Sequence, residues 1–315
     1  PSPTQNKIFL AIGFFVMFIG LSFLIFSTIR AEEKGKGERG GKLSAIKKIL
    51  LNFMQMVALA ASLPLRWTSE IKTMFQVMST ISSAGTTLLI PDCELTHMRT
   101  ADAFYIKQLF YTFSIPILII GSILSWCFIY CICAKRWKLE WMRVKHRMIL
   151  TMVLMMFLCY SMLVQLCLTM FKCVLVGGKR YLMADLQEEC YVGRHAYYMY
   201  LLSGPQLIVL ANLPILVFLL LLCNKKKLNE PEFRIRYGLL YRGYVENREW
   251  WEVTVAFRKI VAVMIGTFGS TIGNPEVQVG CALLLGLFSI VLHLVGQPFG
   301  SPSGENKRLH FMELY

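Results

Sequence analysis

The chain has 315 residues, of which 56% are hydrophobic and only 17% are charged. Soluble domains carry roughly 25% charged residues, so this composition excludes an ordinary soluble domain and favours a polytopic membrane protein. The net charge of +14 would suit a nucleic-acid partner, but the basic residues lie between the apolar runs, where they set membrane orientation instead. We therefore expect no nucleic-acid binding.

Seven apolar runs reach or approach the roughly 20 residues that a helix needs to cross a bilayer. The second run ends at Pro64 and needs flanking residues to cross. An eighth helix is expected to begin near Leu309. The sequence thus predicts an all-α, polytopic transmembrane bundle whose seven spans are 8–29, 49–63, 104–133, 148–171, 198–223, 250–268 and 277–295.

Lysine and arginine are distributed unevenly among the connections between these runs. Four connections hold 22 of them together, whereas the two that alternate with these hold 6. Connections rich in lysine and arginine stay cytoplasmic, so we predict an N-terminus outside and a cytoplasmic tail after the seventh span. The rich connections are 30–48, 134–147, 224–248 and 296–315, and the poor ones are 65–103 and 173–197.

Residues 69–82 predict a short amphipathic helix on the outer side. Ile71, Met74, Phe75 and Met78 recur at helical spacing and share one face. We expect this helix to lie on the membrane surface or on the bundle. Packing against neighbouring spans is favoured over a ligand-binding lid.

Two cysteines fall in connections that the charge pattern places outside. Cys93 precedes the third span and Cys190 precedes the fifth, and the outside is the oxidising compartment. We predict a disulfide between Cys93 and Cys190, with Cys173 at the outer end of the fourth span as the rival partner.

No catalytic motif stands out, so we expect a protein that is not an enzyme and uses no cofactor. None of the five histidines has a histidine or cysteine at zinc-like spacing in its predicted compartment. The sequence contains no glycine-rich phosphate loop, nucleophile elbow or zinc-protease helix. We therefore predict no metal site.

The start of the sixth span combines aromatic and charged side chains. Trp250 and Trp251 follow the last basic connection, where amphipathic rings suit the headgroup layer, so we predict inner-interface anchors. Glu252 falls in the first helical turn, where a carboxylate faces the positive end of the helix dipole. Arg258 and Lys259 lie deeper in the same helix, on the order of 12 Å beyond Trp250.

Two interpretations of Arg258 and Lys259 stay open. An oblique helix would let both cations reach back to phosphates of the anionic inner leaflet. Alternatively, they form an ion pair inside the bundle, with Glu252 or Glu140 as the carboxylate, because an ionisable group at this depth costs a few kcal/mol unless it is paired.

Several segments occur together in one order: KKILLNFMQMVALAASLPLRW, FQVMSTI, LLIPDC, YLMADLQEECYVGRH and YGLLYRGYVENREWWEVTVAFRKIVAVMI. They resemble the multipass C-terminal module of large algal and protist cell-surface proteins that carry cysteine-rich, ephrin-receptor-like or EGF-like repeats. Apicomplexan cysteine repeat modular proteins are similar, and fungal TRP-like membrane proteins are similar more distantly. The resemblance covers roughly residues 47–315. Cys93, Cys190, Glu252, Arg258 and Lys259 match its outer-loop cysteines and charged positions.

The resemblance also implies a division of the chain into three parts. Residues 1–30 would be a first transmembrane helix after an ectodomain, 31–47 a basic cytoplasmic connector, and 48–315 a multipass TRP-like membrane module. The chain opens without methionine and closes on residues typical of a helix start, so we expect a piece of a longer protein.

The implied function is a non-enzymatic anchor or sensor of a large cell-surface protein. Its expected partners are lipids of the anionic inner leaflet and other membrane subunits or an extracellular assembly, in a plasma or ciliary membrane. A TRP-like ion channel or transporter subunit is the alternative, although the sequence shows no selectivity filter. A seven-pass receptor is the third hypothesis, but the sequence lacks the Asp-Arg-Tyr-like, Cys-Trp-x-Pro and Asn-Pro-x-x-Tyr signals of such receptors.

Overall fold

The computed structural model describes residues 19–20, 22–30, 38–61, 67–82, 99–137, 140–272 and 275–299, together with Leu309 and Met312. Helices dominate these residues, which confirms the predicted helical class. Residues 22–30 are helical. The elements that follow are α1 (Glu38–Ala60), α2 (Ser69–Ser82), α3 (Thr100–Trp137), α4 (Trp141–Thr169), α5 (Gly193–Tyr198), α6 (Gly204–Cys223), α7 (Pro231–Tyr241), α8 (Trp251–Ile272) and α9 (Pro275–Gly296).

Four helical stretches of the described residues are long and apolar enough to cross a membrane. One of them continues from α5 through a π-helical turn, Met199–Ser203, into α6. The prediction of seven spans is therefore corrected to four for this part of the chain. These four are Thr100–Ile132, Trp141–Thr169, Gly193–Cys223 and Glu276–Gly296.

The other three predicted spans either lie mostly outside the described residues or form helices that are not apolar enough to count as spans. Most of 8–29 falls outside the described residues, as does most of the expected helix near Leu309. Residues 49–60 and 251–268 are helical within α1 and α8, but these helices bury charged and amide side chains. Such groups are costly in a helix that faces lipid, so they mark helices that face protein.

Helix α4 lies at the centre of the bundle and contacts α3, α6, α7 and α8. In the most apolar stretch of α4, 56% of the residues are buried, compared with 6% in the corresponding stretch of α3. The main apolar core forms where α1, α3, α4, α6 and α8 meet. Its members include Leu59, Ile115, Cys159, Leu163, Cys167, Leu210 and Val263.

Helices α3, α6 and α9 each turn a wide apolar face outward. A water-facing surface of a soluble protein rarely carries contiguous apolar patches of this kind, whereas lipid tails favour them. The exposed side chains include Phe113, Ile117, Leu124 and Phe128 on α3, Ile208, Val209 and Leu216 on α6, and Leu283, Leu284, Leu287 and Val295 on α9. This surface is compatible with an integral membrane protein.

A small antiparallel sheet, which the sequence analysis did not predict, joins α4 to α5. Its strands are β1 (Cys173–Val176), β2 (Lys179–Leu182) and β3 (Asp185–Glu189), in that spatial order. Gly177 and Gly178 form the two-residue turn between β1 and β2, with φ values of 59° and 86°. A two-residue hairpin turn of type I′ needs positive φ at both turn positions, which glycine adopts without a steric penalty.

The predicted amphipathic helix at 69–82 is confirmed as α2. Phe75 on this helix is buried, and its ring meets that of Trp67 edge-on at a centroid distance of 5.0 Å. Helix α2 packs back against α1, in agreement with the favoured interpretation. Helix α1 itself begins at Glu38 and continues through the predicted boundary between 47 and 48, so part of the proposed connector is helical.

Candidate functional site: a buried charge cluster

A group of polar side chains is buried where α1 meets the start of α8. We call Lys48, Asn52, Tyr244, Glu252 and Lys259 the charge cluster. Its two lysines, its asparagine and its glutamate are each at most 6% exposed. Lys48 and Asn52 are four residues apart on α1, and Glu252 and Lys259 are seven apart on α8, so each pair shares one helical face.

The Glu252 carboxylate is the centre of the cluster. The Tyr244 hydroxyl donates a hydrogen bond to Glu252 Oε2 at 2.7 Å, and Lys48 Nζ lies 3.6 Å from the same oxygen. Asn52 Nδ2 approaches Oε1 at 3.5 Å, the outer limit of a hydrogen bond. Lys48 Nζ also lies 3.9 Å from the centroid of the Tyr244 ring, a cation–π distance.

Lys259 enters the cluster through Asn52. Its ammonium donates a hydrogen bond to Asn52 Oδ1 at 2.6 Å and lies 4.6 Å from the centroid of the Phe157 ring on α4. The Asn52 amide therefore faces a carboxylate with its nitrogen and an ammonium with its oxygen. This arrangement links α1, α4 and α8 through one connected set of polar contacts.

The cluster fixes how α1 sits against α8. Removing one partner of a buried ion pair leaves an uncompensated charge and costs about 3–5 kcal/mol, although the intact pair adds little net stability. Gln55 adds a further link, since its amide nitrogen donates to the Leu158 carbonyl at 3.2 Å.

The structure places the two cations of the sixth predicted span, Arg258 and Lys259, in different environments. Lys259 is buried in the charge cluster and donates to Asn52, whereas the ion pair of Glu252 is formed with Lys48. Glu140 takes no part, since it is exposed and pairs with Arg143 at 3.3 Å. Arg258 faces a different side of α8 and lines a cavity of about 240 Å³ between α1 and α9.

The two tryptophans occupy different environments. Trp251 is 4% exposed, and its ring packs so closely on Gly296 that a Cβ there would lie 2.2 Å from it. Trp250 is partly buried, and its indole nitrogen donates to the Asn247 carbonyl at 3.1 Å. Trp251 thus joins α8 to α9, while the placement of both rings at a membrane interface stays a prediction.

Cys190 forms its disulfide with Cys173, with the two Cα atoms 6.5 Å apart. The predicted Cys93–Cys190 bond is therefore corrected in favour of the rival partner, and Cys93 lies outside the described residues. The reason is local: Cys173 begins β1 at the end of α4, and the hairpin folds back so that Cys190 directly follows β3.

His195 lies beside this disulfide and is fully buried. Its Nδ1 accepts a hydrogen bond from the Tyr191 backbone N–H at 3.0 Å, and its Nε2 lies 2.9 Å from the Met170 carbonyl oxygen. Both ring nitrogens are thus engaged with backbone groups. The two neighbouring sulfurs are joined to each other and offer no thiolate to a metal ion.

A second polar group fastens the hairpin to the start of α3. Arg194 bridges the carboxylates of Asp102 and Glu188, and its guanidinium lies 4.8 Å from the centroid of the Tyr105 ring. Thr100 donates a hydrogen bond to the Asp185 carboxylate. This hydroxyl, aided by the Gln187 backbone N–H, holds the pKa of Asp185 below its usual value.

Sequence reasoning missed Lys48 and Tyr244. Lys48 was counted with the basic connector, although its position four residues before Asn52, on the same helical face, is the signal that would have joined it to the buried side. Tyr244 precedes Glu252 in a non-helical segment and carries no sequence signal of its own.

No family model and no solved structure matches the chain. The chain is similar to cysteine repeat modular protein A of Toxoplasma gondii, with 27% identity over 162 residues. That match covers 48% of this chain and 5% of the much longer relative. The comparison therefore supports only a loose link between this membrane-compatible helical chain and a cysteine repeat modular protein.

Proposed function

We propose that the chain is a non-enzymatic anchor or sensor module of a large cell-surface protein. The observation that carries this proposal is the wide outward apolar surface of α3, α6 and α9, which needs lipid or other membrane subunits to cover it. The partial likeness to a cysteine repeat modular protein supports the cell-surface part of the proposal.

The charge cluster supports an anchoring role, because its polar groups bond to one another across helices. Glu252 and Lys259 are almost completely buried, and their partners include residues of α1, α4 and the segment before α8. Charged groups arranged in this way hold helices in register. We infer that the cluster keeps the bundle intact when force or binding acts on an attached ectodomain.

We propose the plasma membrane or a ciliary membrane as the location, with an N-terminus outside. The Cys173–Cys190 disulfide supports an outside position of the hairpin, since disulfides persist in oxidising compartments. The basic connections 134–147 and 224–248 would then be cytoplasmic. The proposed partners are anionic inner-leaflet lipids and other membrane subunits.

A TRP-like channel or transporter subunit is the second candidate function. The observation in its favour is the burial of Lys48, Glu252 and Lys259 within a membrane-compatible bundle, because buried ionisable groups often mark gates or ion pathways. Pro116 and Pro214 lie inside spanning helices, where such a protein would bend.

Imaging of the native complex with its lipid density retained tests these two candidates. The anchor predicts a single copy whose apolar faces contact lipid and different membrane proteins. A symmetric ring of copies around a water-filled axis would contradict the anchor and favour the channel.

A further inference from the structure

We propose that the cavity between α1, α8 and α9 binds the phosphate-bearing headgroup of an anionic phospholipid, with Arg258 as the phosphate ligand. This inference rests on the proposed membrane-embedded role and names the lipid site within it. The cavity has a volume of about 240 Å³. We call it the Arg258 cavity.

The polar wall of the Arg258 cavity suits an anion. Arg258, Asn52, Ser289 and His293 line it, and Arg258 is the charged residue among its described lining residues. A guanidinium presents donors in a planar fork that matches two phosphate oxygens, which makes arginine a better phosphate ligand than lysine. The Asn52 amide nitrogen carries a second N–H besides the one that faces Glu252, whereas the Ser289 hydroxyl already donates to the Leu285 carbonyl at 2.6 Å.

The remaining wall is apolar and leads to the outside of the bundle. Phe53 on α1 and Ile290 on α9 line the cavity and are 44% and 42% exposed. Leu287 lies on the same helix as Ile290 and is 61% exposed. An acyl chain can follow this apolar surface while the headgroup stays in the polar part. A free anion would use only the polar part.

The position of Arg258 along α8 agrees with a headgroup site. It lies seven residues after Trp251, about 10 Å along the helix axis from the end that follows the basic connection 224–248. A long cationic side chain at this depth can extend its charged end toward the headgroup layer. Lys259, the next residue, contacts Asn52 and Phe157 and does not line this cavity.

A second cavity, between α4, α6 and α8, does not suit the same ligand. Its volume is about 230 Å³, and its lining is apolar except for Tyr160, Glu252 and Lys259. The Tyr160 hydroxyl already donates to the Leu210 carbonyl at 3.1 Å. Glu252 and Lys259 both line this second cavity, so it holds a carboxylate beside its cation, whereas the described lining of the Arg258 cavity holds a cation and no carboxylate.

The test is a titration of the purified full chain in neutral detergent with phosphatidylserine, phosphatidylcholine or inorganic phosphate. The two readouts are the amount of bound lipid, measured by native mass spectrometry, and the thermal unfolding midpoint. We expect phosphatidylserine to bind and to raise the midpoint, phosphatidylcholine to bind at least fivefold more weakly, and inorganic phosphate alone to leave the midpoint unchanged. An equal shift with inorganic phosphate would overturn the lipid assignment.

Two variants locate the site. Arg258→Gln should weaken phosphatidylserine binding at least fivefold, whereas Lys226→Gln, which changes an exposed lysine of the basic connection, should leave it unchanged. Gly286→Phe places a ring in the cavity without altering Arg258, because Gly286 lines the cavity and a Cβ there meets no atom within 4 Å. It should also block binding, and it covers the case that Arg258→Gln does not fold.

Unchanged phosphatidylserine binding in either folded variant would overturn the assignment of this cavity. Alkaline extraction of the membranes separates this failure from a failure of the proposed function. A chain that stays in extracted membranes but binds no phosphatidylserine contradicts the lipid site alone. A chain that alkaline treatment releases contradicts the membrane role on which the site depends.

Discussion

Lys48 on α1 lies 3.6 Å from Glu252 on α8, and both side chains are almost completely buried. The two residues are separated by 204 positions in the chain, so their contact ties the first described long helix to the second last. Asn52 and Lys259 extend the contact along the same two helices. The registration of α1 against α8 therefore depends on charge as well as on apolar packing.

Glu252→Gln should destabilise the bundle by about 3–5 kcal/mol, because it leaves Lys48 and Lys259 buried without the carboxylate that compensates them. Thermal unfolding in detergent measures the loss. Glu246→Gln, which changes an exposed glutamate nearby, is the matched control and should have little effect. Equal midpoints for the two variants would show that the cluster does not hold the helices.

Gly296→Ala should destabilise the contact between α8 and α9 by about 1–3 kcal/mol, since overpacking forces neighbouring groups to move. The added methyl carbon would lie 2.2 Å from the Trp251 ring. Gly280→Ala on the same helix meets no atom within 4 Å and should be neutral or stabilising. If Gly296→Ala were as stable as Gly280→Ala, the close approach of Trp251 would be wrong.

Peptide mapping without reduction should recover Cys173 and Cys190 in one linked species. Cys93→Ser should leave that species intact, whereas Cys173→Ser should abolish it and free the Cys190 thiol. The bond closes a short loop, and its loss should cost about 2–4 kcal/mol. A linked species that contains Cys93 and Cys190 would contradict the pairing.

The hairpin should lose stability in acid through Asp185. Its folded-state pKa is lowered, so its stabilising contribution is present above the unfolded pKa and is lost as the pH falls through the folded value. Thr100→Val should flatten the decrease in unfolding midpoint between pH 6 and pH 3, whereas Thr100→Ser should retain it. An equally steep decrease in Thr100→Val would exclude the hydroxyl as the cause.

Local patterns in the sequence predicted helix α2 but not the β1–β3 sheet. Helical spacing of Met74, Phe75 and Met78 was sufficient for α2, because one helix carries its own periodicity. The glycine pair Gly177–Gly178 was an available signal for the hairpin, but short strands between long apolar runs are easily assigned to a loop. Among the described residues, the span count was too high because apolar length alone does not separate a lipid-facing helix from one that faces protein.

Long-range pairing could not be predicted in the same way. Cys190 had two candidate partners, and the choice depended on the hairpin that brings Cys173 back to it. Glu252 and Lys259 carried a signal, since charges in an apolar helix need partners. Their actual neighbours, Lys48 and Asn52, lie about 200 residues away, and nothing in one sequence relates the two helices.

The lipid exposure of α9 tests the membrane-embedded role most directly. A spin label at Leu284→Cys, whose parent side chain is 66% exposed, would be compared in liposomes with a label at Lys226→Cys in the basic connection. We expect the label at residue 284 to be accessible to oxygen but not to a water-soluble nickel reagent, and the label at residue 226 to show the reverse. Strong accessibility of residue 284 to the nickel reagent would contradict the membrane-embedded role.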